Sequence, residues 1–259
     1  MWRAADGIEV FESGWTSDHF YPMHTADPSS SRLEGWTTLT ALAQATRRLR
    51  LGTLVTGMHY RHPAVLANMA ATLDVISSGR LELGIGTGWN ELESSAYGIE
   101  MGTPGQRSDR FEEACEVLTG LLSQQTTTVE GSYYQVTNAR CGVRPLQQPH
   151  PPICIGGSGR RRTLRTAARF AQHWNFDSGT CEQFCRARDV LYQHCADIGR
   201  DPAQILLSSQ VRFTGDPAQT AETAAAFGGA GAGLVIVYLP PPHTPAVLEP
   251  LASALSELS

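Results

Sequence analysis

The sequence predicts an α/β fold of the TIM-type (β/α)8 barrel class, formed as a single domain over residues 1–259. Short apolar or β-branched segments alternate along the chain with longer segments of helical periodicity. This alternation is typical of βα units that build a parallel sheet. A chain of 259 residues is long enough for one such barrel. With 41% hydrophobic and 17% charged residues, the composition is that of an ordinary globular protein.

Seven strand–helix units follow one another along the chain. Strands are predicted over residues 11–18, 49–56, 81–86, 153–155, 173–176, 205–213 and 234–238. Helices are predicted over residues 36–47, 63–76, 107–122, 160–171, 182–198, 217–227 and 245–258. The second helix shows the pattern clearly, because its apolar residues recur at spacings of three and four. These residues are Val65, Met69, Leu73 and Ile76.

The segment 123–152 lacks a helical pattern. Its stretch "VEGSYYQV" predicts a small β insertion, which the proline-rich "RPLQQPHPP" follows. A closed barrel of this class needs eight strands, and the missing one falls at the N-terminus, where only ten residues precede the first predicted strand. An open, doubly wound sheet tolerates seven strands and is therefore the competing fold.

The composition excludes several classes of function. A net charge of −5 argues against general binding of nucleic acids or anionic membranes. No apolar run approaches the roughly 18 residues of a membrane span, and no signal peptide is visible, so we expect a cytoplasmic protein. The chain contains no lysine, which excludes a Walker-type lysine and a Schiff-base lysine. Its six cysteines form no CxxC pair, so we expect reduced thiols and no metal site.

The stretch "RLELGIGTGWNE" (80–91) resembles the phosphate-binding turn of a dinucleotide-binding protein at first sight. That fingerprint requires G-x-G-x-x-G at the first βα turn. Here Gly84, Gly86 and Gly88 are followed by Trp89 at the position of the third fingerprint glycine, and the motif lies in the third unit. The Rossmann interpretation therefore fails. Glycines at a strand end either allow a ligand to approach the backbone or serve only a tight turn.

A second glycine-rich strand end lies at "ICIGGSGRRR". Gly156, Gly157, Ser158 and Gly159 precede a predicted helix, and free N–H groups at a helix N-terminus attract anions. Arg160 and its two neighbours at this positive end of the helix dipole are consistent with a bound phosphate. The alternative is that these arginines are ordinary solvated surface residues.

A third feature is "WTSDHF", which places Asp18 and His19 at the carboxyl end of the first predicted strand. Barrel enzymes keep their chemistry at this end, and a histidine transfers protons near neutral pH. A structural histidine is the alternative. Thr56 and Gly57 end the next strand and carry only a weak signal alone. Together, the three glycine-bearing strand ends and the Asp-His pair predict one extended cofactor across a barrel mouth.

Three segments carry a resemblance to a known family: "SDHF", "LRLGTLVTGMHYRHPAVLANMAATLDVISSGRLELGIGTGWNE" and "RPLQQPHPPICIGGSGRRRTLRTAARFAQHWN". They resemble the bacterial luciferase-like family, and within it the F420-dependent oxidoreductase branch common in actinobacteria. The resemblance runs from about residue 3 to the C-terminal helix. It implies a TIM-type barrel of the luciferase-like kind, with an insertion after the fourth helix that accounts for the β segment at 123–152.

The resemblance implies an oxidoreductase that transfers a hydride between the deazaflavin coenzyme F420 and an unknown small organic substrate. His19 is then the candidate proton donor or acceptor, Asp18 orients His19 or binds the cofactor, and Glu91 is a further catalytic candidate. In this family the strand that ends at Thr56 and Gly57 usually carries a bulge, often with a non-proline cis peptide. The cofactor-binding residues expected are Asp18, His19, Thr56, Gly57, Gly86, Thr87, Gly88, Trp89, Asn90, Gly156, Gly157, Ser158, Gly159 and Arg160.

The chain departs from the family at its start, because relatives begin with a first strand and a complete first helix. Loss of that strand would expose two sheet edges and open the core. Two alternatives to the F420-dependent enzyme stay open. One is an FMN-dependent luciferase-like monooxygenase of the same superfamily, and the other, suggested by the missing strand, is a truncated, catalytically silent paralogue that binds cofactor. A homodimer is expected from the family. The substrate would contact the loops 20–35 and 89–106, whose composition does not identify it.

Overall fold

The structure, a computed structural model, describes residues 1–23 and 29–257. Parallel strands alternate with helices along the described chain, which confirms the predicted α/β fold class. The contacts divide the chain into two compact units, Trp15–Ile153 and Met1–Gly14 with Cys154–Ser259. Each unit is described by itself. The single domain over residues 1–259 stays a prediction.

Every strand and helix predicted above has a counterpart in the structure, with ends that differ by a few residues. The helices are α1 Trp2–Asp6, α2 Gly35–Ala45, α3 Pro63–Ile76, α4 Glu91–Ala96, α5 Pro104–Ser123, α6 Thr163–Phe170, α7 Cys181–Asp197, α8 Pro217–Gly229 and α9 Leu248–Ser256. The strands are β1 Ser13–Thr16, β2 Arg50–Thr53, β3 Thr56–Gly57, β4 Leu81–Gly86, β5 Thr127–Glu130, β6 Gln135–Ala139, β7 Ile153–Gly156, β8 His173–Phe176, β9 Leu206–Arg212 and β10 Leu234–Tyr238.

Two predicted elements differ in detail from what the structure shows. The segment 91–96 was expected to be loop and forms the short helix α4. The helix predicted over 245–258 begins as a 3-10 turn at Pro245–Val247 and continues as α9 to Ser256. Position 258 of that prediction lies outside the described residues.

The strand predicted over 49–56 is divided in the structure. β2 ends at Thr53, a non-proline cis peptide joins Leu54 to Val55, and β3 begins at Thr56. The cis peptide that the family resemblance implied for this strand is therefore present.

β4 is the central strand of the unit Trp15–Ile153. It is buried along its whole length and pairs in parallel with β2, where Leu51 lies opposite Leu81. It also pairs in parallel with β3, where Thr56 lies opposite Ile85. Because the strands are parallel, the end of β3 and the end of β4 meet at one edge of the sheet.

The predicted β insertion is the antiparallel pair β5–β6. Glu113 on α5 anchors its turn, because its carboxylate accepts hydrogen bonds from the backbone N–H groups of Ser132, Tyr133 and Tyr134 at 2.9, 2.7 and 3.1 Å. The insertion is thus fixed to the helix that precedes it.

The other unit contains a parallel ladder of four strands. Cys154 of β7 lies opposite His173 of β8, and β8 and β10 both pair with β9. Aromatic side chains pack beside this ladder, with the rings of Trp174 and Phe184 stacked at 5.6 Å between centroids. These rings form the core that holds the glycine-rich end of β7 in place.

The N-terminal residues form α1, and the Trp2 indole packs directly over Gly14, where a Cβ atom would lie 2.8 Å from the ring. Residues 1–12 are all described and contain a helix and turns but no strand. None of the helices in the described ranges combines the length and the apolar character that crossing a bilayer requires.

Candidate active site

The candidate site lies at the carboxyl ends of strands in the unit Trp15–Ile153. Asp18 and His19 follow β1, Thr56 and Gly57 form β3, and residues 86–90 follow β4. Asp18, His19 and Thr56 are buried. Buried polar groups need hydrogen-bond partners, so the partners of these residues define what the site can do.

Asp18 is held by a guanidinium group. Arg61 donates two hydrogen bonds to its carboxylate, one to each oxygen, and also lies 3.8 Å from Glu34. Burial raises the pKa of Asp18 above its usual 3.8, although the Arg61 charge and hydrogen bonds oppose that shift. With both carboxylate oxygens bound by Arg61, Asp18 is suited to fixing the chain before His19 rather than to transferring protons.

His19 is paired with Glu93, a residue that sequence analysis did not select. His19 Nδ1 lies 2.6 Å from Glu93 Oε2, and Tyr60 donates its hydroxyl proton to the same oxygen at 3.0 Å. The other oxygen, Oε1, accepts the backbone N–H groups of Phe20 and of Tyr21, the latter at 2.8 Å. One fully buried carboxylate therefore holds the imidazole and the backbone that follows it.

The charge of Glu93 is stabilised by these donors. Burial alone would raise its pKa, but the hydrogen bonds from His19, Tyr21 and Phe20 outweigh burial and lower the pKa below its usual 4.5. Burial and the neighbouring Glu93 charge raise the pKa of Tyr60, so the phenol keeps its proton as a donor. The cluster thus contains a carboxylate that accepts four hydrogen bonds.

Glu91, the carboxylate that sequence analysis selected instead, lies elsewhere. Its side chain is 84% exposed and lies 3.9 Å from Arg107, whereas Glu93 contacts His19. The helix α4 explains the difference, because Asn90 caps its N-terminus by accepting the Glu93 N–H at 3.2 Å and turns Glu93 inward. The spacing of Asn90 and Glu93 is a helix-start signal that could have identified this residue.

Thr56 belongs to a buried hydroxyl network. Trp36 donates its indole N–H to Thr56 Oγ1 at 2.9 Å, and Thr53 Oγ1 lies 2.9 Å from the same atom. Thr53 also donates to the carbonyl of Gly84 at 2.9 Å. This network connects α2, β2, β3 and β4 beside the cis peptide and fixes the edge next to Asp18.

The glycines of β4 pack against their own chain. A Cβ atom on Gly84 would lie 1.7 Å from the carbonyl oxygen of Thr53, and one on Gly86 would lie 2.7 Å from Val55 Cγ2. Neither position has room for a side chain, whether or not a ligand is bound. The sheet alone therefore requires both glycines.

Gly88 makes room for His59. It has φ +83°, and a Cβ atom there would lie 2.2 Å from His59 Nδ1, while a Cβ atom on Gly57 would lie 2.7 Å from the same ring. His59 Nε2 lies 2.9 Å from Ser94 Oγ, which donates to the Asn90 carbonyl at 2.8 Å. Burial and the positive charges of two nearby arginines lower the pKa of His59 from 6.5 to about 4, so the ring is neutral near pH 7.

The remaining predicted residues of this unit have mixed environments. Trp89 is 62% exposed, and its ring lies 5.3 Å from the His19 ring between centroids. Thr87 is half-buried, and Asn90 acts as the cap of α4. The structure therefore brings Trp89 next to the candidate proton-transfer group and uses Asn90 to position Glu93.

The second glycine-rich strand end belongs to the unit that contains β7. Gly157 has φ +110°, and its carbonyl accepts the indole N–H of Trp174 at 2.8 Å. The helix predicted to begin at Arg160 begins at Thr163, because residues 160–162 form a turn. No side chain caps α6, and Arg160 is exposed. The start of α6 therefore lacks a side-chain cap and follows an exposed arginine, as is typical of an anion site.

Comparison with known proteins gives three results. The model of the luciferase-like monooxygenase family matches residues 9–253. Among curated relatives, the F420-dependent glucose-6-phosphate dehydrogenase of Microbacterium testaceum is 38% identical over 171 residues, which are 65% of this chain and 49% of that protein. The protein with the same name from Kineococcus radiotolerans is 32% identical over 216 residues, which are 82% of this chain and 62% of that protein.

The solved structure of an F420-dependent secondary alcohol dehydrogenase, in complex with an F420-acetone adduct, has a TM-score of 0.87 at 18% identity. The match covers 99% of this chain and 92% of that one. This likeness confirms the predicted luciferase-like fold class. The chain spans about half the length of several of the curated relatives it matches, 49% of the Microbacterium protein and 50% of three mycobacterial proteins.

Proposed function

The chain belongs to the luciferase-like monooxygenase family, and from that premise we propose that it is an F420-dependent oxidoreductase. It would transfer a hydride between coenzyme F420 and a small organic molecule that interconverts between an alcohol and a carbonyl compound. The names of the relatives support this choice, because they include dehydrogenases and an alcohol dehydrogenase that carry F420 in their description.

One observation carries the proposal. His19 stands at the carboxyl end of β1 with Nδ1 held by a buried carboxylate, while the described residues provide no hydrogen-bond partner for Nε2. An alcohol–carbonyl conversion moves one hydride and one proton, and the hydroxyl proton needs a group such as this imidazole. The cofactor supplies the hydride chemistry.

The residues present fit a deazaflavin cofactor. At the ring end we propose Asp18, His19, Thr56, Gly57, Gly86, Thr87, Gly88, Trp89 and Asn90 as binding residues. At the phosphate end we propose Gly156, Gly157, Ser158, Gly159 and Arg160. The fit at the phosphate end rests on the open space around Gly157, where a Cβ atom would meet only Thr163 at 3.5 Å, and on the uncapped start of α6.

The other residues of the site position His19 and line the space beside its ring. The Arg61–Asp18 pair fixes the residue before His19, and the Glu93 carboxylate fixes the two residues after it. The Thr56 hydroxyl network fixes β3 beside them. The exposed Trp89 ring provides an apolar surface beside the imidazole. The loops 20–35 and 89–106 stay the proposed substrate contacts, and positions 24–28 of the first loop lie outside the described residues.

Titration of the purified protein with F420 and, separately, with FMN tests the cofactor assignment through fluorescence quenching. Tight F420 binding with no FMN binding is expected. The reverse result would assign the chain to the FMN-dependent monooxygenases. Binding of F420 without turnover on any alcohol or ketone would indicate the catalytically silent paralogue.

The variant His19→Ala tests the site itself. Turnover should be abolished, while the affinity for F420 stays within about tenfold, because the imidazole moves a proton and contributes little binding energy. Wild-type turnover in this variant would remove His19 from the mechanism. The homodimer and the cytoplasmic location stay proposals, and light scattering tests the first of them.

A further inference from the structure

We propose that Glu93 is a positioning residue that fixes the neutral imidazole of His19 with its proton on Nδ1. Nε2 is then the atom that takes the substrate proton. The inference rests on the proposed function for its catalytic consequence. Its structural part concerns residues of this chain alone and can be tested without cofactor.

The hydrogen-bond donors around the Glu93 carboxylate determine the tautomer of the His19 ring. Oε1 accepts two backbone N–H groups, from Phe20 and Tyr21, and Oε2 accepts the phenol proton of Tyr60. An ionised carboxylate has no proton to give. His19 Nδ1, 2.6 Å from Oε2, must therefore be the donor, since two acceptors at that distance would repel.

The position of Glu93 is fixed from two directions. Its own backbone N–H is bound by Asn90 at the cap of α4, and its side chain is fully buried. The two N–H groups that it accepts belong to the residues directly after His19. Any shift of the carboxylate would therefore break bonds to the ring and to the chain beside it, which makes the arrangement rigid.

Because Glu93 holds the proton on Nδ1, Nε2 is the ring atom that can exchange a proton with the substrate. In alcohol oxidation, the substrate O–H bond would break with its proton going to Nε2, while the carbinol C–H bond would break and its hydride, with two electrons, would go to the F420 held at the site. The imidazolium so formed lies against the Glu93 carboxylate, which stabilises its charge. Carbonyl reduction is the reverse, and the imidazolium gives its Nε2 proton to the new alkoxide oxygen.

The variant Glu93→Gln reverses the tautomer and keeps the shape. The amide oxygen has to face the N–H groups of Phe20 and Tyr21, because an NH2 group there would meet two donors. The amide nitrogen then faces His19 Nδ1 and donates to it, so that the neutral ring carries its proton on Nε2. The Tyr60 hydroxyl, which donates to Oε2 in the wild type, then has to turn and accept the second amide N–H. The side chain keeps its size, and we expect the variant to fold.

Selective 15N labelling of histidine and NMR of the cofactor-free protein test the structural part. At a pH where the ring is neutral, wild-type His19 should show a protonated Nδ1 and an unprotonated Nε2, with His19→Ala identifying the signals. Glu93→Gln should exchange the two, and Tyr60→Phe, which removes a donor from the same carboxylate, should leave them unchanged. A wild-type ring protonated on Nε2, or no change in Glu93→Gln, would overturn the proposal.

Steady-state kinetics test the catalytic part. Glu93→Gln should lower kcat for alcohol oxidation by about 10²–10⁴-fold, with KM changed by less than about threefold. Tyr60→Phe should lower kcat by less than about tenfold. A kcat that falls equally in both variants would show that the carboxylate acts only through packing. If the NMR result holds and the wild type has no F420-dependent turnover, the proposed function fails and the assignment of the tautomer stands.

Discussion

Two glycine-rich strand ends in this protein look alike in sequence and differ in structure. At 84–88, added Cβ atoms would lie within 1.7–2.7 Å of the chain's own atoms, among them the carbonyl of Thr53 and the ring of His59. At Gly157 and Gly159, the closest approach of an added Cβ atom is 2.7 Å, from Gly159 to the side-chain oxygen of Thr163. A carbonyl in a paired strand cannot move, whereas a threonine side chain can rotate.

The two strand ends therefore contain glycines for two different reasons. The first strand end is filled by the protein itself, so its glycines are required for folding whatever binds there. At the second, the open space around Gly157 and the uncapped start of α6 fit the phosphate site proposed there. A glycine pattern in the sequence is therefore not sufficient evidence for a binding site. The atoms around each glycine have to be known as well. Three substitutions and one pH titration test this difference between the two strand ends.

Gly84→Ala should have the largest effect. The new methyl group would overlap the Thr53 carbonyl within the paired strands β2 and β4, and we expect a loss of about 3 kcal/mol or more in the free energy of unfolding. Chemical denaturation measures it, with Gly142→Ala as the control because nothing lies within 4 Å of that position. Equal stability of the two variants would contradict the packing described for β4.

Gly88→Ala should cost about 2 kcal/mol, since it combines a left-handed backbone with contact against His59. The double variant Gly88→Ala with His59→Ala should recover part of that loss, because the contact is gone and only the backbone cost remains. A double-mutant cycle of unfolding free energies checks this. Strict additivity of the two changes would show that His59 does not fill the space.

The pH dependence of stability tests the buried state of His59. Its pKa in the folded protein, about 4, lies below the ordinary 6.5. The unfolded chain therefore binds the proton first, and stability should fall as the pH drops from 6.5 to 4. His59→Gln, which can still donate to Ser94, should flatten this decline, while the exposed His243→Gln should not.

Gly159→Ala should have the smallest effect on folding, below about 1 kcal/mol, because Thr163 can rotate away. It should weaken F420 binding by about tenfold, since a methyl group would occupy the proposed phosphate turn. Fluorescence titration gives the affinity and denaturation gives the stability. A variant that unfolds but binds normally when folded would remove the contrast between the two strand ends.

The site could be predicted from the sequence only in part. Asp18 and His19 are candidates because they lie at the carboxyl end of the first predicted strand, and the structure pairs Asp18 with Arg61 and His19 with Glu93. The sequence points to Glu91 and not to Glu93, because "WNELESS" lies in the predicted loop 89–106 and has a polar composition. Which of two nearby glutamates turns inward depends on where a helix starts, and α4 is too short for a periodicity to reveal it.

The sequence by itself determined the alternation of strands and helices, the β insertion at 123–152 and the strand ends where chemistry belongs, because these follow from local periodicity and chain order. The tertiary structure decided the partners: Arg61 for Asp18, Glu93 for His19, and His59 against Gly88. Such pairs join residues 29 to 74 positions apart. No local pattern encodes them, since they arise only when parallel strands bring distant segments to one edge of the sheet.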